Sequence, residues 1–281
     1  MNSRERVEAV LEGKVPDRLP LDLGGSMVTG MHVTTVYHLR QALGLDEPGT
    51  SVKVIDPFQM LGEIKPDLRE KLGVDVVGLF GQINMFGFKN ENWKEWEFKG
   101  VPVLVPENFN TKREENGDLL MYPQGDKSAD PSAKMPETGW YFDAIPRQKP
   151  IDDDNLDVED NLEEFGPINE EELKYYEREA KRLYQETDKA IFAGFGATSF
   201  GDIAKVPAPN LKDPKGIRGV EEWYVSLASR QDYIYEVFER QCEIVLSNLE
   251  KIYEVVGDRI SVLLVNGTDF GTQGGPFISN E

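Results

Sequence analysis

"ISVLLVNGTDFGTQ", residues 260 to 273, is the stretch whose reading decides the fold. The run from Ile260 to Val265 is apolar on both alternating faces, as expected for a strand covered on both sides. It is followed at once by Asn266, Thr268, Asp269 and Gln273 in a glycine-rich loop. A polar, glycine-rich loop at the carboxyl end of a buried strand is where α/β enzymes usually carry their chemistry.

Working outward, three more stretches read as strands of the same kind: "AIFAGFG" at 190 to 196, "VDVVGLF" at 74 to 80 and "DRLPLDLGG" at 17 to 25. Helical patterns separate them. Asn2 with Glu5 forms a capping box before a stripe of Val7, Val10 and Leu11, and Gly13 is placed to end that helix. Val36, Leu39 and Leu43 share one face of "TTVYHLRQALG", 34 to 44. Pro66 opens and Gly73 closes "KPDLREKLG". A second capping box, Asn169 with Glu172, precedes Leu173, Tyr176, Ala180, Leu183 and Tyr184. After a proline-broken loop, 205 to 214, the longest helical pattern runs from Ile234 through Val237, Phe238, Ile244, Val245, Leu249 and Ile252 to Val256. Strand and helix in alternation predict a parallel sheet covered by helices. A closed barrel needs eight such units in about 250 residues. Four units are either a small open sheet or the first half of a barrel.

Residues 82 to 168 interrupt this alternation with short aromatic-rich pieces, and Asn116-Gly117 signals a hairpin there. This excursion reads as a lid or an interface within one domain, 1 to 281, with "WKEWEF" and "GWYFD" supplying its aromatic contacts.

The chain carries 31 Lys+Arg against 51 Asp+Glu, a formal charge of -20. Such a surface repels nucleic acid and anionic membranes, so neither is an expected partner. The acidic run "IDDDNLDVEDNLEEFGPINEEEL", 151 to 173, reads as a solvated connector, and it lacks the glycine that an EF-hand loop requires. No run approaches the roughly 18 apolar residues of a membrane span and the leading stretch has no signal-peptide core, which predicts a cytoplasmic protein. The single Cys242 falls on the apolar face of the longest helical pattern and is expected to be a buried structural thiol.

The four strand ends bring together 22 to 32, 78 to 82, 195 to 202 and 265 to 273. Asp22, His32, Asn266, Asp269 and Gln273 are the candidates to line a substrate mouth: Asp269 and His32 as hydrogen-bonding or acid/base groups, Asp22, Asn266 and Gln273 as substrate-binding groups. His38, inside a helix pattern, reads as a surface or packing residue. No nucleophile elbow and no dinucleotide glycine spacing are present.

The segments "RERVEAVLEGKVPDRLPLDLGG", "LGVDVVGL", "FAGFGATSF" and "GTDFGTQGGPFIS", in that order, resemble the uroporphyrinogen decarboxylase superfamily. That resemblance implies a distorted (β/α)8 TIM-type barrel, of which about four β/α units are present and a C-terminal half is missing. The superfamily includes tetrapyrrole decarboxylases and zinc-dependent methyltransferases that serve corrinoid proteins. A decarboxylase must hold eight substrate carboxylates, yet 22 to 39 contains no Lys or Arg. The resemblance therefore implies a zinc- and corrinoid-dependent methyltransferase of the O-demethylase type, with a small-molecule methyl donor and a corrinoid protein as partners. Its zinc ligands, a His-x-Cys pair and a later Cys, are absent from this chain, which alone is expected to bind neither cofactor and to need a C-terminal half or a second copy. The alternatives are a tetrapyrrole decarboxylase and a non-catalytic half-barrel assembly module.

Overall fold

The computed structural model describes residues 1–195, 197–272 and 274–276. The chain opens with α1 (Ser3–Leu11), in which the Asn2/Glu5 capping box is formed in both directions. Its buried face is Ser3, Arg6, Val7 and Ala9, whereas Val10 and Leu11 are exposed. The helix is turned by Arg6, which is drawn inward by a buried carboxylate.

That carboxylate is Asp75, whose side chain is 0% exposed. It accepts from Arg6 Nη1 at 2.7 Å, from Arg18 Nη1 and Nη2 at 2.7 and 2.9 Å, and from the Leu21 amide at 2.8 Å. Burial pushes this carboxyl up, but the bonds from Arg18, Leu21, Ser3 and Arg6 outweigh it and hold the group below its ordinary range. The same contact explains why 17 to 25 is not a strand, contrary to the alternation pattern. Pro16 and Pro20 lack amide protons, and the Leu21 amide is taken by a side chain, so no ladder forms. Leu19 is left 84% exposed.

The segment continues into α2 (Val33–Ala42), β1 (Val52–Asp56), β2 (Leu61–Gly62), α3 (Pro66–Leu72) and β3 (Val76–Phe80). Pro66 sits in the first turn of α3, and Gly73 ends it in the left-handed conformation at φ 70. Arg40 of α2, 1% exposed, is clamped between Asp46 and Asp67 by four bonds of 2.6 to 2.9 Å, which tie α2 to the start of α3.

The excursion is built from strands. β4 (Lys94–Phe98) and β5 (Val101–Val105) form a hairpin whose two turn residues, Lys99 and Gly100, both have positive φ, 48 and 79. That combination matches the right-handed twist of the flanking strands. β1 pairs in parallel with β5 and antiparallel with β2, giving a sheet of order β2-β1-β5-β4. A second sheet joins β6 (Thr111–Arg113), β7 (Leu119–Met121), β8 (Ala133–Met135) and β9 (Asp143–Ala144) in simple order. The turn at Asn116-Gly117 forms as a three-residue loop: the Gly117 amide donates to Glu114 O and Gly117 takes φ 90. Phe58, Phe86, Phe98, Phe109 and Phe142 fill the core that these sheets share with α2.

β10 (Ala190–Gly194) follows α4 (Glu170–Glu186), whose Asn169/Glu172 capping box is complete. The short β11 (Ser199–Phe200) leads to α5 (Val220–Ser229) and the long α6 (Gln231–Val256). β12 (Val262–Leu263) and β13 (Asn266–Gly267) come next, and a two-residue ribbon of β14 (Gly271–Thr272) and β15 (Gly275–Pro276) follows. β10 is the centre of a three-stranded parallel sheet, order β12-β10-β3. Tyr176, Ala180 and Leu183 of α4 and Ile252 and Val256 of α6 pack on Val77, Leu79, Ile191 and Ala193 of that sheet. The fold is therefore mixed α/β, and the described strands form no closed barrel. No described helix is long and apolar enough to cross a membrane.

One further expectation is corrected. Cys242 is exposed, because α6 turns Gln241, Val245 and Asn248 inward and leaves its neighbours Cys242 and Leu246 outside. The acidic run at 151 to 173 keeps most of its carboxylates exposed, as a solvated connector does, and is anchored at a few points: Asn161 exchanges bonds of 2.8 Å with the Ile217 backbone, and Arg218, 1% exposed, is held by Glu164 at 2.7 Å.

Replacing Asp75 by Ala takes a buried carboxylate from the inward Arg6 and the half-exposed Arg18 and is expected to lower stability by about 3–5 kcal/mol, measurable by urea unfolding. The Arg40 clamp sets an acid limit. Its bonds hold Asp67 down to about 2, below the roughly 3.9 of an unfolded aspartate, so the stabilisation is present above pH ~4 and lost as pH falls through the folded value. Unfolding free energy followed between pH 5 and 2 should fall less steeply for Asp67→Asn than for the natural chain.

Candidate active site

The carboxyl ends of β3 and β10 and the excursion enclose a cleft of about 1780 Å³. Its floor is made by a second, shorter layer of pairing. Beyond β10 and β12 the chain pairs again as β11 with β13, in register Ser199↔Asn266. Thr198 fixes this crossing, donating to Phe195 O at 2.9 Å and Leu264 O at 3.1 Å. From α6, the buried Gln241 donates to Ala197 O at 2.7 Å and Ser199 O at 2.9 Å. Ala197 adopts φ 71, a left-handed backbone that costs an L-residue roughly 1–2 kcal/mol, and the Gln241 bracket holds it there.

This construction brings a polar cluster onto the cleft wall. Asn266 donates through Nδ2 to Asp202 Oδ2, and Asp202 Oδ1 accepts from the Ala204 amide at 3.0 Å. Lys205 Nζ donates to Ser199 Oγ at 2.6 Å. Lys205 is open to the solvent of the cleft yet surrounded by protein. Those surroundings push its ammonium below the ordinary lysine range, opposed by the charges of Asp202 and Asp56. Across from it, Asp56 ends β1 and is 7% exposed. Burial pushes its carboxyl up, against the bonds it accepts from the Phe58 amide at 2.9 Å and Gln59 Nε2 at 3.0 Å.

The remaining wall is aromatic. Phe58, Phe80, Trp140, Phe142, Tyr176 and Phe195 all face the cleft. Tyr176 and Phe195 meet edge to face with centroids 4.9 Å apart. Gly78 allows the Phe80 ring to fold back over β3, since a Cβ there would lie 2.2 Å from Phe80 Cζ. Seven carboxylates line the cleft, Asp56, Glu63, Glu91, Asp143, Glu164, Glu172 and Asp202, against four basic side chains, Arg69, Lys89, Arg182 and Lys205.

Of the residues expected from sequence, His32 and Asn266 lie on this cleft. His32 caps α2, its Nδ1 accepting from the Thr34 hydroxyl and amide at 2.9 and 3.3 Å, while Nε2–H donates to Trp140 O at 2.9 Å. These partners select the neutral Nε2–H tautomer, and burial together with the charge of Lys99 lowers its basicity despite the Trp140 bond. Nδ1 is committed to the α2 cap and Nε2 to holding the excursion against α2. Asp22 closes a turn below the cleft, accepting from the Gly25 amide at 2.9 Å and Thr29 Oγ1 at 3.1 Å. Asp269 is exposed, with its carbonyl held by the Tyr224 hydroxyl at 2.9 Å. Gln273 lies outside the described residues. His38 is exposed.

Asp56 and Lys205 are the cluster members that sequence reasoning missed. The "SVKVID" alternation of β1 carried a signal for Asp56, because Val52, Val54 and Asp56 share its buried face. Nothing local marks Lys205 in its proline-broken loop. No family model, no curated protein and no solved structure matches this chain.

Gln241→Leu would leave the Ala197 and Ser199 carbonyls unbonded inside the fold, with an expected loss of about 1–3 kcal/mol. Thermal unfolding of that variant beside Gln241→Glu checks whether the bracket, and not the volume, is responsible.

Proposed function

We propose that this chain carries the substrate cleft of a methyltransferase of the uroporphyrinogen decarboxylase kind, built as part of a (β/α)8 barrel and of the O-demethylase type. Its methyl donor is a planar methoxylated aromatic molecule and its methyl acceptor a corrinoid protein. The observation that carries this reading is the cleft wall: several aromatic rings line the same space as a small polar cluster at the carboxyl ends of parallel strands. Flat aromatic walls favour a flat ring by offset and edge contacts. The polar cluster then orients the ring's oxygen substituents, with Asn266 and Lys205 as donors.

The charge of the wall favours this donor over a tetrapyrrole. Seven carboxylates against four basic groups repel a substrate bearing eight carboxylates. The size of the cleft also suits the reading, because about 1780 Å³ exceeds the roughly 300–1,000 Å³ of an ordinary ligand pocket. The extra room admits part of a partner that presents the corrinoid.

The described residues do not fit the zinc that this branch employs. Both nitrogens of His32 are engaged, Cys242 lies on the outer face of α6, and no described group of three or more His, Cys, Asp or Glu side chains could hold a metal ion. Under this reading its ligands come from outside the described residues.

Calorimetric titration with a methoxybenzene and with uroporphyrin, at low salt, separates the readings. The methoxybenzene should bind, weakened about tenfold by Asn266→Ala for the loss of one bond worth roughly 1.4 kcal/mol; Asp269→Ala should leave it within about twofold. Uroporphyrin binding without methoxybenzene binding would replace this reading by the decarboxylase. Binding of neither would leave only an assembly role for the chain.

A further inference from the structure

The cleft holds an amine that the methyl-transfer reading uses only as a hydrogen-bond donor and not as a nucleophile. Lys205 is its one lysine amine that is both reachable from the cleft solvent and surrounded by polar partners on the floor; Lys89, the other lysine of the wall, is tied to Glu171 at 2.7 Å. Lys205 gives one hydrogen bond among the described residues, to Ser199 Oγ at 2.6 Å. Asp202, three residues earlier, is fixed by Asn266 and by the Ala204 amide, and Asp56 faces the same space from β1. An accessible amine within the field of two carboxylates, Asp202 and Asp56, and an aromatic wall form the constellation with which an amine captures a carbonyl compound.

We propose that Lys205 forms an imine with aromatic aldehydes that enter the cleft. The neutral amine's lone pair attacks the carbonyl carbon, forming the C–N bond while the carbonyl oxygen takes up a proton. A proton from the solvent that fills the open cleft expels that oxygen as water, and the remaining nitrogen proton returns to solvent. Amine plus aldehyde thus give imine plus one water, with no change of oxidation state. The charges of Asp202 and Asp56 favour the protonated imine from which the last proton leaves, and the aromatic wall that includes Phe80 and Tyr176 takes the aldehyde's ring. The depressed basicity of the Lys205 ammonium, caused by its protein surroundings and opposed by these two carboxylates, leaves more free amine at neutral pH than an ordinary surface lysine has.

The test is reductive trapping. The intact chain is incubated with benzaldehyde and sodium cyanoborohydride at neutral pH, and the benzylated lysine is located by peptide mass mapping. The expected result is a first adduct on Lys205, ahead of every other lysine, with loss of that adduct in Lys205→Met and slower trapping in Asp202→Asn. Folding of both variants is checked by circular dichroism, and if Lys205→Met does not fold, the site map of the natural chain decides alone. Labelling spread over surface lysines without preference for Lys205 overturns the proposal. The result is independent of methoxybenzene binding: trapping at Lys205 with no binding of the ether would remove the methyltransferase reading and keep the imine, and the reverse outcome would do the opposite.

Discussion

The buried carboxylate of Asp75 organises this molecule. It sits at the entry to β3 and collects Arg6 from α1, Arg18 and Leu21 from the segment that follows, and through Arg6 it also fixes Asp17, 2.6 Å from Arg6 Nε. Two guanidinium groups around one desolvated carboxylate leave little freedom, because each partner is needed to offset the burial of the others. The first twenty-one residues are thereby folded under the amino ends of β3 and β10, with the Arg4 amide bonded to Asp188 O at 2.7 Å and Lys189 Nζ to Ser3 Oγ at 3.2 Å.

Closing one end of a parallel sheet leaves chemistry to the other. The amino ends of the strands are sealed by ion pairs and a helix, while the carboxyl ends continue into loops whose polar side chains bond to one another. The second pairing layer, β11 with β13, stiffens those loops enough to present Asn266, Asp202 and Lys205 together. The excursion supplies the opposite wall, and His32, hydrogen-bonded to Trp140 O, is the bolt between the two. Both of its ring nitrogens are spent on architecture.

What was legible in the sequence was local. Both capping boxes, the Pro66 and Gly73 limits of α3, and the apolar runs of β3 and β10 are encoded within a few residues of where they act. What was not legible depends on partners far along the chain. The run 17 to 25 has a strand's composition, but Asp75, more than fifty residues away, takes its amide. β1 hides because its inward face ends in a carboxylate, which a pattern of apolar residues rejects. β4 and β5 turn on Lys99-Gly100, a weaker hairpin signal than Asn-Gly. α5 falls between the proline-broken loop at 205 to 214 and the helical pattern that starts at Ile234, and neither signal marks it. In the site, Asn266 is legible from its position after an apolar strand, whereas His32 follows a run, 17 to 25, that reads as a strand and is none. Lys205 is not legible, because its place depends on the Gln241 bracket and the β11 pairing, neither of which a single stretch records.

The central claim is that the space above β3 and β10 takes a flat aromatic molecule whose oxygen substituents meet Asn266 and Lys205. A crystal structure of the protein grown with a methoxylated benzene tests it most directly. The account predicts density for the ring between Phe80 and Tyr176, with a ring oxygen within hydrogen-bond distance of Asn266 or Lys205. A ring bound elsewhere, with the cleft holding only water, would contradict it.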